Sequence, residues 1–322
     1  MKKLLITAVC TLIISALSGC NDIKEVSNKN VNSSTSEKSA DLENETDSTS
    51  QKENKLSDEA LSKLTVDTDK THLFDLCKAL TDKENEMINT YALHISDKYH
   101  LNASVMITDD LEDSEPSEYA ENCYKELFKN TPGFLFLVNN ETGNDYIYRS
   151  GYTSLFITDE EILHIFAEIS PLLVTDKTYD GIKTAFDSVS ALLPQHAVDR
   201  SGTLSKDEIN EVESIISDSE SDGEQLTIIF VSDIEKEDLA EYAANAHKGI
   251  IEYSENESQA GALLAVNIKT GDSAVFGSGK YENISAADVN DTFSAFLDKD
   301  SENKSYDAKG AAEAFTSMLK DN

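Results

Sequence analysis

Five short segments of this chain occur twice, in the same order and at nearly the same spacing. Asp75, Leu80, Thr81 and Glu84 return as Asp199, Leu204, Ser205 and Glu208. EYAENCYK (Glu118 to Lys125) returns as EYAANAHK (Glu241 to Lys248), and GFLFLVNNETGND (Gly133 to Asp145) as GALLAVNIKTGDS (Gly261 to Ser273). Ser150-Gly151 is answered by Ser278-Gly279. KTYDGIKTAF (Lys177 to Phe186) is answered by KSYDAKGAAEAF (Lys304 to Phe315), two residues longer. A repeat of about 125 residues is far too long for a solenoid unit, so the pattern predicts two tandem globular domains, at 67–195 and 196–322. Only Gln195 and His196 separate the copies after Pro194, so the copies are expected to pack with restricted freedom.

Each copy opens with an N-terminal helix signature: Thr81 or Ser205, with a glutamate three residues later, forms a capping box. Met87, Ile88, Tyr91, Ala92, Ile95 and Tyr99 then recur at helical spacing. The apolar runs at 103–108 and 226–231 read as buried strands. Tyr119, Ala120, Cys123 and Leu127 mark a second helix. FLFLVN and DYIYR read as two strands joined by the glycine-containing turn NETGN. Ile162, Leu163, Phe166, Ile169 and Leu173 mark a third helix, and Tyr179, Ile182, Phe186, Val189 and Leu193 a fourth. Apolar strands with helices before and after predict an α/β sheet covered on both faces.

Before the repeats lies a different kind of sequence. MKKLLITAVCTLIISALSGC has a basic start, an apolar run too short for a comfortable span, and Leu17-Ser18-Gly19-Cys20 at its end. It resembles a bacterial lipoprotein signal (1–19) with its lipobox. That resemblance implies cleavage before Cys20, lipidation of Cys20 and a location on the extracytoplasmic side of the cell membrane. Residues 20–66 are rich in Ser, Asn, Lys, Glu, Asp and Thr and hold too little apolar surface to offset ordering entropy, so a disordered spacer is expected. The chain carries 61 acidic and 27 basic residues, net -34. That balance argues against nucleic acid and against adhesion to an anionic membrane by charge.

The repeated motifs resemble the TPM domain family. Its signature begins with an Asp, a short turn and Leu-Ser before a helix, as in Val198-Asp199-Arg200-Ser201-Gly202-Thr203-Leu204-Ser205. Gly133 to Val138 and Gly261 to Val266 are similar to its small-residue entry into an apolar strand. Ser150-Gly151-Tyr152 followed by Asp159 resembles its glycine loop and acid, and Tyr179 and Tyr306 its late tyrosine element. The resemblance covers roughly 70–195 and 198–320. It implies two three-layer α/β/α sandwiches, each with a small mixed sheet, and acid phosphatase activity or calcium binding in some members. Carboxylates from loops at one end of the sheet would hold the metal, because hard cations take oxygen ligands. The positions so implied are Asp75, Asp109, Asp110 and Asp159 in the first copy, and Asp199 and Asp233 in the second. Asp159 aligns with Ser285 or Ala286, near Asp288. An Asp at these places also caps a turn or a helix start.

Other chemistry is thinly represented. The six histidines, His72, His94, His100, His164, His196 and His247, show no metal-ligand spacing and read as surface or half-buried residues. There is no nucleophile elbow and no phosphate-cradling loop. Asp218 opens an EF-hand-like run that places Ile229 where a bidentate Glu is needed. Arg149 and Arg200 are the only arginines available to clamp a phosphoryl group. Cys77 and Cys123 of the first copy face Ser201 and Ala246 in the second. Their joint absence fits a disulfide, and fits two independent small buried residues equally. Two functions are therefore expected: a non-catalytic, lipid-anchored adaptor with a partner in the envelope, or a calcium-binding or metal-assisted phosphatase domain around Asp75 and Asp159.

Overall fold

The computed structural model describes residues 56–175, 177–221, 223–252, 260–284, 289–298 and 305–320. The signal-like segment, Cys20, the spacer as far as residue 55, and Ser285, Ala286, Asp288 and Lys304 lie outside the described residues.

A short helix, α1 (Asp58–Lys63), precedes the first copy. The copy then runs β1 (Leu73–Asp75), α2 (Asp82–Tyr99), β2 (Asn102–Thr108), α3 (Pro116–Phe128), β3 (Gly133–Asn139), β4 (Tyr146–Ser150), α4 (Thr153–Phe156), α5 (Asp159–Leu173) and α6 (Thr178–Leu192). The second copy runs β5 (Ala197–Asp199), α7 (Lys206–Ser217), β6 (Glu224–Val231), α8 (Lys236–Glu252), β7 (Ala260–Asn267), β8 (Ser273–Ser278), α9 (Val289–Ser294) and α10 (Ala308–Lys320). Each copy has one four-stranded sheet, in order β1-β2-β3-β4 and β5-β6-β7-β8. The first three strands of each are parallel and the fourth is antiparallel, so both sheets are mixed, as expected.

Local chemistry sets the element starts. Thr81 caps α2 and Ser205 caps α7 with complete capping boxes, each closed by the glutamate three residues on. The hairpin between β3 and β4 turns on Asn139, whose Oδ1 accepts the N–H groups of Glu141 and Thr142. Asn267 repeats the device with Lys269 and Thr270. Gly143 and Gly271 follow with φ of 72° and 79°, a region glycine enters without a Cβ penalty.

The layers are unequal. On one face of the first sheet Phe74, Met106, Leu135 and Leu137 pack against Tyr119, Cys123, Tyr124 and Phe128 of α3. The opposite face, with Val105, Ile107, Phe134 and Phe136, belongs to a larger core that takes in α2, α5 and α6 and continues through the whole second copy. At the junction α2 and α8 touch. Gly249 on α8 faces Asp97 on α2 with room for a Cβ, which would lie 3.6 Å from the Asp97 Cβ in ordinary contact. Tyr99 at the end of α2 ties the junction, its hydroxyl donating to Ser190 O at 3.1 Å and accepting from Gln195 Nε2 at 3.2 Å.

Two expectations need adjustment. The fold begins before residue 67: Leu64 is buried against the α3 layer, Leu56 packs beside it, and Ser57 N donates to Glu112 Oε2 at 2.9 Å. Met87 and Leu163, assigned to apolar helix stripes, are 45% and 71% exposed. Both stripes are narrower than their apolar residues suggest.

Candidate functional site

The carboxylates marked by the sequence first organise their own loops. Asp75 closes β1, and its two oxygens accept the N–H groups of Ala79 at 2.9 Å and Leu80 at 3.0 Å. Asp199 closes β5 and does more. Its Oδ1 accepts from Ser201 N (2.9 Å), Gly202 N (3.1 Å) and the Ser201 hydroxyl, and its Oδ2 from Leu204 N (2.8 Å). Both loops pass through the left-handed region at the same place, Lys78 with φ of 58° and Gly202 with φ of 67°. The aspartate stands in for the backbone acceptors that a tight strand-to-helix turn lacks.

The first copy does not assemble the expected set at one sheet end. Asp75 pairs in register with Ile107, which pairs with Val138, at the carboxyl ends of the parallel strands. Asp159 stands at the start of α5, 93% exposed at its side chain, with Oδ1 2.8 Å from Arg149 Nη2. Arg149 sits on β4 opposite Phe134, four residues back along the sheet, or about 13 Å. Asp75 and Asp159 therefore belong to opposite ends. Arg149 also donates from Nη1 to Ile157 O at 2.6 Å, so it holds the α4–α5 turn.

Asp109 is a neighbour of Asp75: both carboxylates, together with burial as the larger cause, raise the pKa of the Cys77 thiol. Asp110 accepts the Glu112 N–H on Oδ1 at 2.8 Å, and Asp233 is exposed beyond β6. Among the described residues no group of three or more His, Cys, Asp or Glu side chains is placed to hold a metal ion. Calcium takes six to eight oxygens, and an edge with two neighbouring carboxylates does not fit that demand.

Asp199 is fully buried whereas Asp75 is half-buried. The reason lies in its loop, which faces the first copy. The charge of Arg200 reaches His100, Tyr124 and Tyr152, and Lys206 Nζ stands 5.1 Å over the ring of Phe156.

Of the two readings left open for the cysteines, the structure has no disulfide. Cys77 and Cys123 are free thiols, because Cys77 packs against the large core while Cys123 is buried in the α3 layer. Burial pushes the Cys123 thiol up to about 12.

Three of the histidines set aside as scattered are buried: His72, His100 and His247. Two of them line a cleft of about 360 Å³ where the copies meet, together with Thr68, Asp69, Ser96, Asp97, Asn102 and Arg200. His72 Nδ1 lies 2.7 Å from Ala103 O and Nε2 lies 3.0 Å from Thr68 O. Burial pushes His100 down to about 3, with the Arg200 charge adding to the effect, and its Nε2 has no hydrogen-bond partner. Arg200 makes no ion pair with a described residue and stacks 5.9 Å over Tyr242, where its charge opposes the upward push that burial gives the hydroxyl. The rarity of arginine in so acidic a chain was the one sequence signal pointing here.

The TPM domain family model matches residues 73–192 and again 197–321. No individual curated protein matches the chain. The two matches cover most of the sequence, and each falls on one four-stranded sheet with its helices, so the chain belongs to the TPM domain family, with two copies of the domain in tandem.

Proposed function

We propose that the chain is a lipid-anchored, extracytoplasmic binding protein, an adaptor whose two TPM domains present one body to a partner in the envelope and which has no catalysis of its own. The observation that carries the reading is the use made of the aspartates. Asp75 and Asp199 hold strand-to-helix loops through backbone N–H groups, and Asp159 is tied to Arg149 at the other end of the sheet. Calcium binding or metal-assisted phosphatase chemistry, the competing reading, keeps one supporting observation, the proximity of Asp75 and Asp109. Cys20 supplies the anchor in this proposal, on the strength of the lipobox-like Leu17-Ser18-Gly19-Cys20.

The full chain, purified from its producing cell, tests both halves. The expected result is partition into the detergent phase that is lost in Cys20→Ser, and hydrolysis of p-nitrophenyl phosphate no faster than that of Asp75→Asn. Hydrolysis that Asp75→Asn abolishes would overturn the non-catalytic reading, and unchanged partition of Cys20→Ser would overturn the anchor.

A further inference from the structure

We infer that the cleft between the two copies binds a small zwitterion of the α-amino acid class, its carboxylate on Arg200 and His100 and its ammonium toward Asp69 and Asp97. The cleft, about 360 Å³, falls within the range of small-molecule sites, roughly 300–1,000 Å³. Its charges are sorted. Arg200 lines the cleft as its cationic group, with the buried His100 feeling its charge, and Asp69 and Asp97 line it as its anionic groups, felt at His72. The cationic wall has donors to spare. The guanidinium has no carboxylate partner among the described residues, and His100 Nε2 is buried without a partner. A neutral imidazole with its proton on Nε2 and a guanidinium are two donors suited to one carboxylate. A buried polar atom with no partner costs free energy that a ligand oxygen would recover. The anionic wall is formed by Asp69 and Asp97, both exposed at the mouth, where an ammonium arrives while still partly hydrated. A plain anion would gain nothing from that wall and would be repelled by it.

Neither copy contains this site alone. Arg200 comes from the second copy and every other lining residue from the first. Arg200 follows Asp199 directly, so the loop that this aspartate organises delivers the guanidinium to the neighbouring copy.

Calorimetric titration of the full chain with the standard L-amino acids, one at a time, tests the inference against acetate, ethylamine and inorganic phosphate. Saturable heat is expected with at least one amino acid, with acetate and ethylamine binding at least about tenfold more weakly. Arg200→Met and Asp69→Asn should each weaken the amino acid by about tenfold or more. Asp69 is exposed, so its variant keeps the test valid should Arg200→Met fail to fold. Acetate or phosphate binding as tightly as any amino acid would reduce the cleft to an anion subsite and overturn the inference. So would amino acid binding that ignores Asp69→Asn, or no saturable heat with any amino acid. The adaptor reading survives each of these failures, because it rests on the aspartates of the sheet edges and not on this cleft.

Discussion

Asp199 is a fully buried carboxylate whose four donors all come from the five residues that follow it. Each hydrogen bond to an ionised group contributes about 1.5–3 kcal/mol net, and removing the acceptor strands one buried and three part-buried donors together. Asp199→Ala is therefore expected to cost about 3 kcal/mol or more in chemical denaturation. Asp75→Ala should cost about half as much, since Asp75 holds two N–H groups and is half-exposed to water. Equal costs would contradict the different burial of the two loops. A second expectation concerns pH. Burial pushes His247 down to about 4, while an unfolded imidazole titrates near 6.5. Between those values the unfolded chain takes up a proton that the native chain refuses. The contribution is thus whole above about pH 6.5 and is lost as pH falls toward about 4, amounting at most to about 3 kcal/mol. Asp145 works the other way: burial pushes it up to about 6, so its penalty at neutral pH is relieved on acidification. Comparing His247→Phe with the unaltered protein isolates the histidine. The variant should lose stability less steeply between roughly pH 6.5 and pH 4, and parallel curves would show that His247 takes up its proton in the native state as readily as in the unfolded one.

At the scale of elements, the strands and the capped helices were readable because local chemistry and tertiary need agree. A capping box, an apolar run and a glycine-containing turn led by an asparagine each specify the conformation they finally adopt. What could not be read was which face of an element meets which neighbour. The joint loss of Cys77 and Cys123 in the second copy suggested a bridge, yet the two residues lie in different core clusters. The motif order likewise placed Asp75 and Asp159 together, while the antiparallel turn of β4 carries Arg149 and its partner Asp159 back to the far end. Sequence spacing has no access to that reversal until strand pairing is known. The separation of the cysteines has a direct check. The intact mass should be unchanged by reduction, and a maleimide should label Cys77 in the native protein while leaving Cys123 unlabelled until denaturation. A mass increase of one reduced disulfide would contradict this arrangement.

For the whole molecule, duplication has not produced two equivalent sites. Most of both copies share one core, with α2 touching α8, and the second copy's aspartate loop is turned inward on the first. In the first copy Asp75 is half-exposed beside the exposed Asp109, whereas in the second Asp199 is buried and Asp233 alone is exposed. The cleft containing Arg200 and His100 was illegible for the same reason: it exists only once the copies are docked. The central claim is that the family's marked aspartates here build loops rather than a metal centre. Calorimetric titration of the full chain with calcium, beside Asp75→Asn, tests it most directly. The account predicts no saturable heat up to millimolar calcium in either protein. Micromolar binding to the unaltered chain that Asp75→Asn abolishes would contradict it and would restore a working metal site to the first copy.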